Sequence, residues 1–203
     1  MLRGGARVLM VEPDEVEVEA TLLAGGYRCG ACVEGRLRPW GFARTRRLRD
    51  RGREVEVRPR RSRCGSCLVT HVLLPTLALL RRRDLVEVIG AALQARFVDG
   101  RSRAEVAARA GVAVLTARRW CDRFVARAEQ TRVAFTGWAH RLDPSLGAIE
   151  ARGSPAIDAL EAIGVAAAAA GRRFGPAPLW PFAAGASGGL LLANTKCHLP
   201  SPA

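Results

Sequence analysis

The sequence predicts a chain that is mainly α with a small β part: a cysteine-clamped β-hairpin, then three short helices, then a helical tail. Three observations carry that expectation. Two near-identical tetrapeptides, Cys29-Gly-Ala-Cys32 and Cys64-Gly-Ser-Cys67, have 31 residues between them. Within that spacer, "RLRPWGFARTRRLR" and "REVEVRPR" read as strands joined by the turn "DRG". Beyond residue 80 the apolar period becomes helical, with capping residues and a turn glycine at defined spacings.

Residues 1–24 read as an N-terminal arm. Its apolar run "VLMV" is too short for a signal peptide and acids follow at once. No later run approaches the ~20 apolar residues of a membrane span. The expectation is a soluble, cytoplasmic protein with reduced thiols, which weighs against disulfides. Residues 25–75 then read as a zinc ribbon. Two C-x2-C pairs across a longer spacer are a tetrahedral zinc signature, with Cys29, Cys32, Cys64 and Cys67 as ligands of one structural Zn2+ per chain. Gly30 and Gly65 are expected to permit the tight turns. Two disulfides or redox pairs are the competing readings. His71 is given a packing or turn role, and Cys121 and Cys197 are read as non-ligands. A nucleophile at Lys196-Cys197-His198 is a weak signal. A hairpin of this size has little core, so the metal is expected to supply much of its folding energy.

Formal net charge is +13, with 31 arginines and one lysine, Lys196. Its distribution is uneven: residues 1–35 carry −3, 36–63 carry +9 with twelve arginines, 64–80 none, 81–130 +5 and the remainder +2. A charge maximum between the cysteine pairs points to a polyanionic partner, against the bland alternative of a solvated arginine face.

Residues 80–130 read as a helix-turn-helix DNA-binding domain. "DLVEVIGAALQARFVDG" places Leu85, Val88, Ile89, Ala92, Leu93 and Phe97 on one stripe, with Asp84 and Glu87 capping and Gly100 stopping it. Ser102 with Glu105 forms a capping box for "RAEVAARA", and Gly111 ends it. Ala107 four residues before Gly111 lets two helices cross closely. Ala117 and Trp120 fall inward on a third helix, "VLTARRWCDRFVARA". Thr116, Arg118, Arg119 and Arg123 then face outward as DNA contacts, joined by Arg44, Arg46, Arg47, Arg60 and Arg61 of the ribbon. An ordinary three-helix bundle is the alternative.

Residues 131–203 read as a helical and irregular C-terminal region. A helix is expected from Ser154-Pro155 to about Arg173. "GPAPLWPFAAGASGG" is read as irregular, with Trp180 and Phe182 as anchors on a surface or partner. The region is assigned a homodimer contact. Only Asp143, Glu150, Asp158 and Glu161 are acidic there, and no strands are expected, so a three-carboxylate catalytic site has no place. The expectation is therefore not an enzyme, with no small-molecule substrate and no membrane.

The stretches "RCGAC…LRPWGFARTRRLR…RPRRSRCGSCLVTHVLLP", "LRRRDLVEVIGAAL" and "TARRWCDRF" resemble an actinobacterial family of uncharacterised zinc-ribbon plus helix-turn-helix proteins. That family is similar to the DNA-binding N-terminal part of insertion-sequence transposases. The resemblance covers roughly residues 15–130. It implies the four cysteines as zinc ligands and Arg118 and Arg119 as recognition-helix candidates. Ala113 and Ala117 depart from the short polar and β-branched residues usual at those positions. The resulting expectation is a sequence-binding, zinc-containing protein of double-stranded DNA, transposase-associated or a transcriptional regulator. The alternatives are an accessory factor whose ribbon docks protein while only the helices touch DNA, or a truncated transposase remnant. An RNA role is disfavoured because stacking aromatics are few.

Overall fold

Strands begin well before the first cysteine. The computed structural model describes residues 7–32, 34–193 and 198–200, and its first element is β1 (Arg7–Val11). Asp14 then caps α1 (Glu15–Leu23), accepting from the amides of Val16 and Glu17. β2 (Leu37–Phe42), β3 (Arg46–Asp50), β4 (Arg53–Val57), β5 (Arg60–Cys64) and β6 (Thr70–Pro75) follow. Four strands make a mixed sheet in the order β1-β6-β5-β2, with β1 parallel to β6, while β3 and β4 form a hairpin of their own.

This overturns the expected fold class, a simple ribbon followed by a three-helix domain and a tail. Residues before 25 are no arm: β1 pairs Arg7 with His71, and α1 covers one face of the sheet. Val11, Val18, Leu22, Leu37 and Leu73 pack there around Cys29 and Cys64, so the cysteines sit in a real, if small, core. The alternation of Glu and Val in "EVEVEA" hid the helical pair Val18 and Leu22, and a parallel pairing has no local signature.

The two expected long strands are each broken. Within β2 the register against β5 shifts between Pro39 and Phe42, with Gly41 at φ 88, and the chain leaves the sheet over 43–45 before β3; Arg58 and Pro59 separate β4 from β5. The "DRG" turn is present, with Arg51 at φ 48 and Gly52 at φ 91.

The hairpin does not stand free but lies on the helices. These are α2 (Val86–Phe97), α3 (Arg103–Ala110), α4 (Val114–Val125), α5 (Ala128–Leu142), α6 (Pro155–Phe174) and α7 (Leu179–Ala186). Asp84 does not cap α2, whose N-cap is Leu85. Its buried carboxylate, 3% exposed, instead holds the Arg49 guanidinium at 3.0 and 3.1 Å. The amide of Arg49 donates to the Arg83 carbonyl, and the amide of Leu85 donates back to Arg49. Leu48 and Val57 bury against Leu74 and Ala78. At the tip, a Cβ on Gly111 would come within 3.2 Å of Arg51 and 3.3 Å of Gly52. Gly111 (φ 65) thus serves twice, as the left-handed end of α3 and as the seat of the hairpin turn.

α3 carries the capping box of Ser102 and Glu105, and Ala117 and Trp120 point inward on α4. The C-terminal region is part of the same core. α5 and α6 pack against each other through Phe135, Ala139, Ala159, Ala162, Ile163 and Ala166. The stretch expected to be irregular contains α7, whose Pro181 falls in the first turn, where a missing N–H is harmless. Trp180 is not an outward anchor: it is 3% exposed and lies on Gly90 of α2, where a Cβ would be 2.0 Å from the indole. Phe182 meets Phe135 edge-on at 6.3 Å. Lys196 and Cys197 lie outside the described residues.

Gly90→Ala should therefore displace Trp180 and destabilise the protein by about 1–3 kcal/mol, read as a lower urea midpoint with an unchanged slope. A second expectation concerns Glu19, which takes Arg60 through two bonds at 2.6 and 3.0 Å. The hydrogen bond from Arg60 holds the Glu19 carboxyl below its ordinary value. The sign follows from linkage: the contribution is full above the unfolded carboxyl's pKa of about 4.3 and is lost as pH falls through the lower folded value. Glu19→Gln should flatten that acid limb of a stability–pH curve and leave the neutral limb's shape unchanged.

Candidate functional site

Two backbone knuckles bring the four cysteines together. The first follows α1 and the second joins β5 to β6, so both lie at one end of the four-stranded sheet. The Sγ atoms of Cys29, Cys32, Cys64 and Cys67 all lie within 4.8 Å of one another. Cys29 to Cys67 and Cys32 to Cys64 are each 3.6 Å apart. A tetrahedron of sulfurs ~2.3 Å from a central ion has edges of about 3.8 Å, whereas a disulfide would need about 2.05 Å. The cluster therefore suits one metal ion and is not a pair of disulfides.

The surrounding donors match thiolate chemistry. Ala31 N–H donates to Cys29 Sγ at 3.3 Å, and the amides of Ser66 and Cys67 donate to Cys64 Sγ at 3.4 Å each. The Cys67 amide, followed by that of Ser66, helps hold the Cys64 thiol down at about 6. Cys32 is pushed up to about 12, first by its hydrogen bond with the Cys67 thiol, because neighbouring sulfurs cannot all carry charge without a cation. His71 is buried on β6 with Nε2 3.3 Å from Cys29 Sγ. It is neither a loop residue nor one of the four: it partners a ligand sulfur from behind. Burial, and then Arg7, lower its pKa.

The glycine that matters was not one of the two expected. Gly30 and Gly65 both avoid the left-handed region, and a Cβ on Gly30 would meet nothing within 4 Å. A Cβ on Gly35 would lie 2.2 Å from Cys64 Sγ and 2.7 Å from Cys32 Sγ. The Gly35 carbonyl also accepts from the Cys29 amide at 2.8 Å. Its only sequence signal was proximity to the first pair. Cys121 is buried in the helical core, away from the cluster, and burial raises its thiol pKa.

The arginines proposed for nucleic acid fall into two sets. Arg60 is taken up by Glu19 and also stacks on Phe42 at 4.5 Å, so it ties the sheet to α1. Arg46 donates to the Arg82 carbonyl at 2.6 Å, and Arg49 belongs to Asp84. Arg61 is half-buried on β5, while Arg44 and Arg47 are exposed. On α4, Thr116 is half-buried and Arg118, Arg119 and Arg123 are exposed, with Arg118 in a solvated pair with Asp122 at 3.3 Å. Val114 and Leu115 are 50% and 53% exposed on the same helix. Arg123 is close enough to Arg82 to help lower its pKa, after the larger effect of burial. Cross-strand pairing sets Glu56 opposite Arg47 and Glu54 opposite Arg49, which dilutes the hairpin's charge. Sequence reasoning missed Arg82 and Arg83, which line a pocket with Arg46, Arg47 and Arg49. No helix among the described residues is long and apolar enough to cross a membrane.

Gly35→Ala should abolish uptake of one Co2+ per chain, read from thiolate-to-cobalt absorption, whereas Gly30→Ala should load normally. Equal loading by both variants would contradict the packing described.

Comparison with known proteins gives no match: no family model, no curated protein and no solved structure is significantly similar to this chain.

Proposed function

We propose that the protein binds double-stranded DNA without a catalytic step, as a cytoplasmic transposase-associated factor or transcriptional regulator, with one structural Zn2+ in the cysteine cluster. Zinc is the ion that four thiolates at tetrahedral spacing favour, and four protein ligands leave no position open for chemistry. The observation that carries the DNA reading is the exposed face of α4. It presents Val114, Leu115, Arg118, Arg119 and Arg123. Its N-terminal end starts beside the hairpin tip, through Gly111, and Arg123 near its C-terminal end lies in the field of Arg82. Hairpin and helix thus offer arginines that a duplex backbone and base edges can use. Arg119 has no ion pair among the described residues, and the exposed Arg118–Asp122 pair is weak enough for phosphate to displace.

The absence of a catalytic role rests on the C-terminal acids. Asp143 is held by Arg172 at 2.8 Å and Glu161 by Arg152 at 3.3 Å, each as a separate pair. A second reading has one specific support. Trp40 and Phe42 are 52% and 48% exposed on β2, with Arg63 over the first ring and Arg58 over the second. In that reading the sheet docks a protein partner and only the helices touch DNA.

Anisotropy titrations of a random-sequence duplex against salt test the proposal. The wild type should show steep salt dependence, and Arg118→Ala/Arg119→Ala should lower the log–log slope by about 2, ~1 per lost phosphate contact. Salt-independent or undetectable binding by the wild type would end the DNA reading.

A further inference from the structure

Between the β3–β4 hairpin and the turn at 81–83 lies a pocket of about 530 Å³, lined by Arg46, Arg47, Arg49, Glu54, Arg82 and Arg83. Five guanidinium groups thus share one space with a single carboxylate. Three are fixed by the fold. Arg46 is anchored on the Arg82 carbonyl, Arg49 on Asp84, and Arg82 on the Leu192 carbonyl. Arg82 keeps one donor over: its Nε is buried and has no acceptor among the described residues. A buried donor without an acceptor is unfavourable. Burial also lowers the pKa of both Arg46 and Arg82, so their charges are poorly solvated where they stand. Arg47 and Arg83 are exposed and have no ion pair among the described residues.

We propose that this pocket is a phosphate site, taking one phosphate group with the Arg47 and Arg83 forks as donors and the Arg46, Arg49 and Arg82 charges beside them. A carboxylate has only two oxygens for this set. A phosphate group offers more, and guanidinium forks match its edges bidentately. Glu54 limits the net charge of the pocket. Where the phosphate belongs to a DNA backbone, the inference rests on the DNA reading above. A free phosphate ester would fill the same pocket without it.

The test compares the full-length wild type with Arg47→Ala/Arg83→Ala, whose side chains hold nothing described in the fold. Calorimetric titration with inorganic phosphate at constant ionic strength is paired with the duplex salt titration. The wild type should bind phosphate, and the Ala pair should bind it at least ~10-fold more weakly, as loss of two charge-assisted forks implies. Arg47→Lys/Arg83→Lys, which keeps the charge and loses the forks, should fall between them and guards against misfolding of the Ala pair. If the DNA slope also falls by about 1 in the Ala pair, the occupant is a backbone phosphate. If phosphate binding is lost while DNA is not bound by either protein, the pocket stands with a free phosphate ester and the DNA reading fails. No phosphate binding by the wild type, or equal binding by the Ala pair, overturns the site whatever DNA does.

Discussion

A buried carboxylate at Asp84 meets Arg49 through one hydrogen bond at 3.1 Å and a second ion-pair contact at 3.0 Å, and around this pair the sheet and the helices become one body. A carboxylate this deep is tolerable only with its partner in place. The pair therefore dictates where the β3–β4 hairpin lies. Backbone bonds from Arg49 to Arg83 and from Leu85 to Arg49 extend the contact, and Leu48 fills the space beneath it. Once β3 is held there, the tip reaches Gly111 and rests on the turn between α3 and α4. The arginine pocket and the placement of α4 beside the hairpin both follow from that one docking.

At the other end of the sheet, the cysteine cluster closes the loops that the small core cannot order alone. Five aliphatic side chains, Val11, Val18, Leu22, Leu37 and Leu73, surround Cys29 and Cys64. Thiolates packed this closely repel one another, and the amide and His71 hydrogen bonds offset only part of that. A cation held there would supply the rest, and its binding energy would become folding energy for both knuckles. Gly35 marks how little room remains: its backbone runs where any side chain would strike two sulfurs.

Charge in this chain does two different jobs. Arg46, Arg49 and Arg60 hold elements together, against a carbonyl or a carboxylate. Arg44, Arg47, Arg118, Arg119 and Arg123 point outward, where they remain available to a polyanion. Equal arginines in one basic run thus divide between architecture and surface by whether an acceptor lies within reach: Arg47 and Arg49 share one face of β3, and of the two only Arg49 has an ion pair among the described residues. Not all of the +9 of residues 36–63 stands free at the surface, since Arg36, Arg46, Arg49, Arg60 and Arg63 each hydrogen-bond a carbonyl or a carboxylate.

Chemistry that depends on residue type and short spacing was legible in the sequence. Two C-x2-C pairs predicted a four-thiolate site, Ser102 and Glu105 a capping box, "DRG" a turn, and Ser154-Pro155 to about Arg173 a long helix, which the structure runs to Phe174. α5 was missed although Ala128, Thr131, Phe135 and Ala139 repeat at helical spacing, because Ala-rich faces give a faint periodic signal. By itself, then, the sequence determined the four clustered cysteines and the local starts and stops of α3 and α6, because caps, turns and thiolate pairs act over a few residues. Only the tertiary structure decided that β1 joins β6, that Asp84 serves Arg49 instead of α2, that Trp180 turns inward onto Gly90, and which arginines remain at the surface. Each of those is a contact between residues distant in the chain, settled by burial and pairing in three dimensions, which no short spacing records.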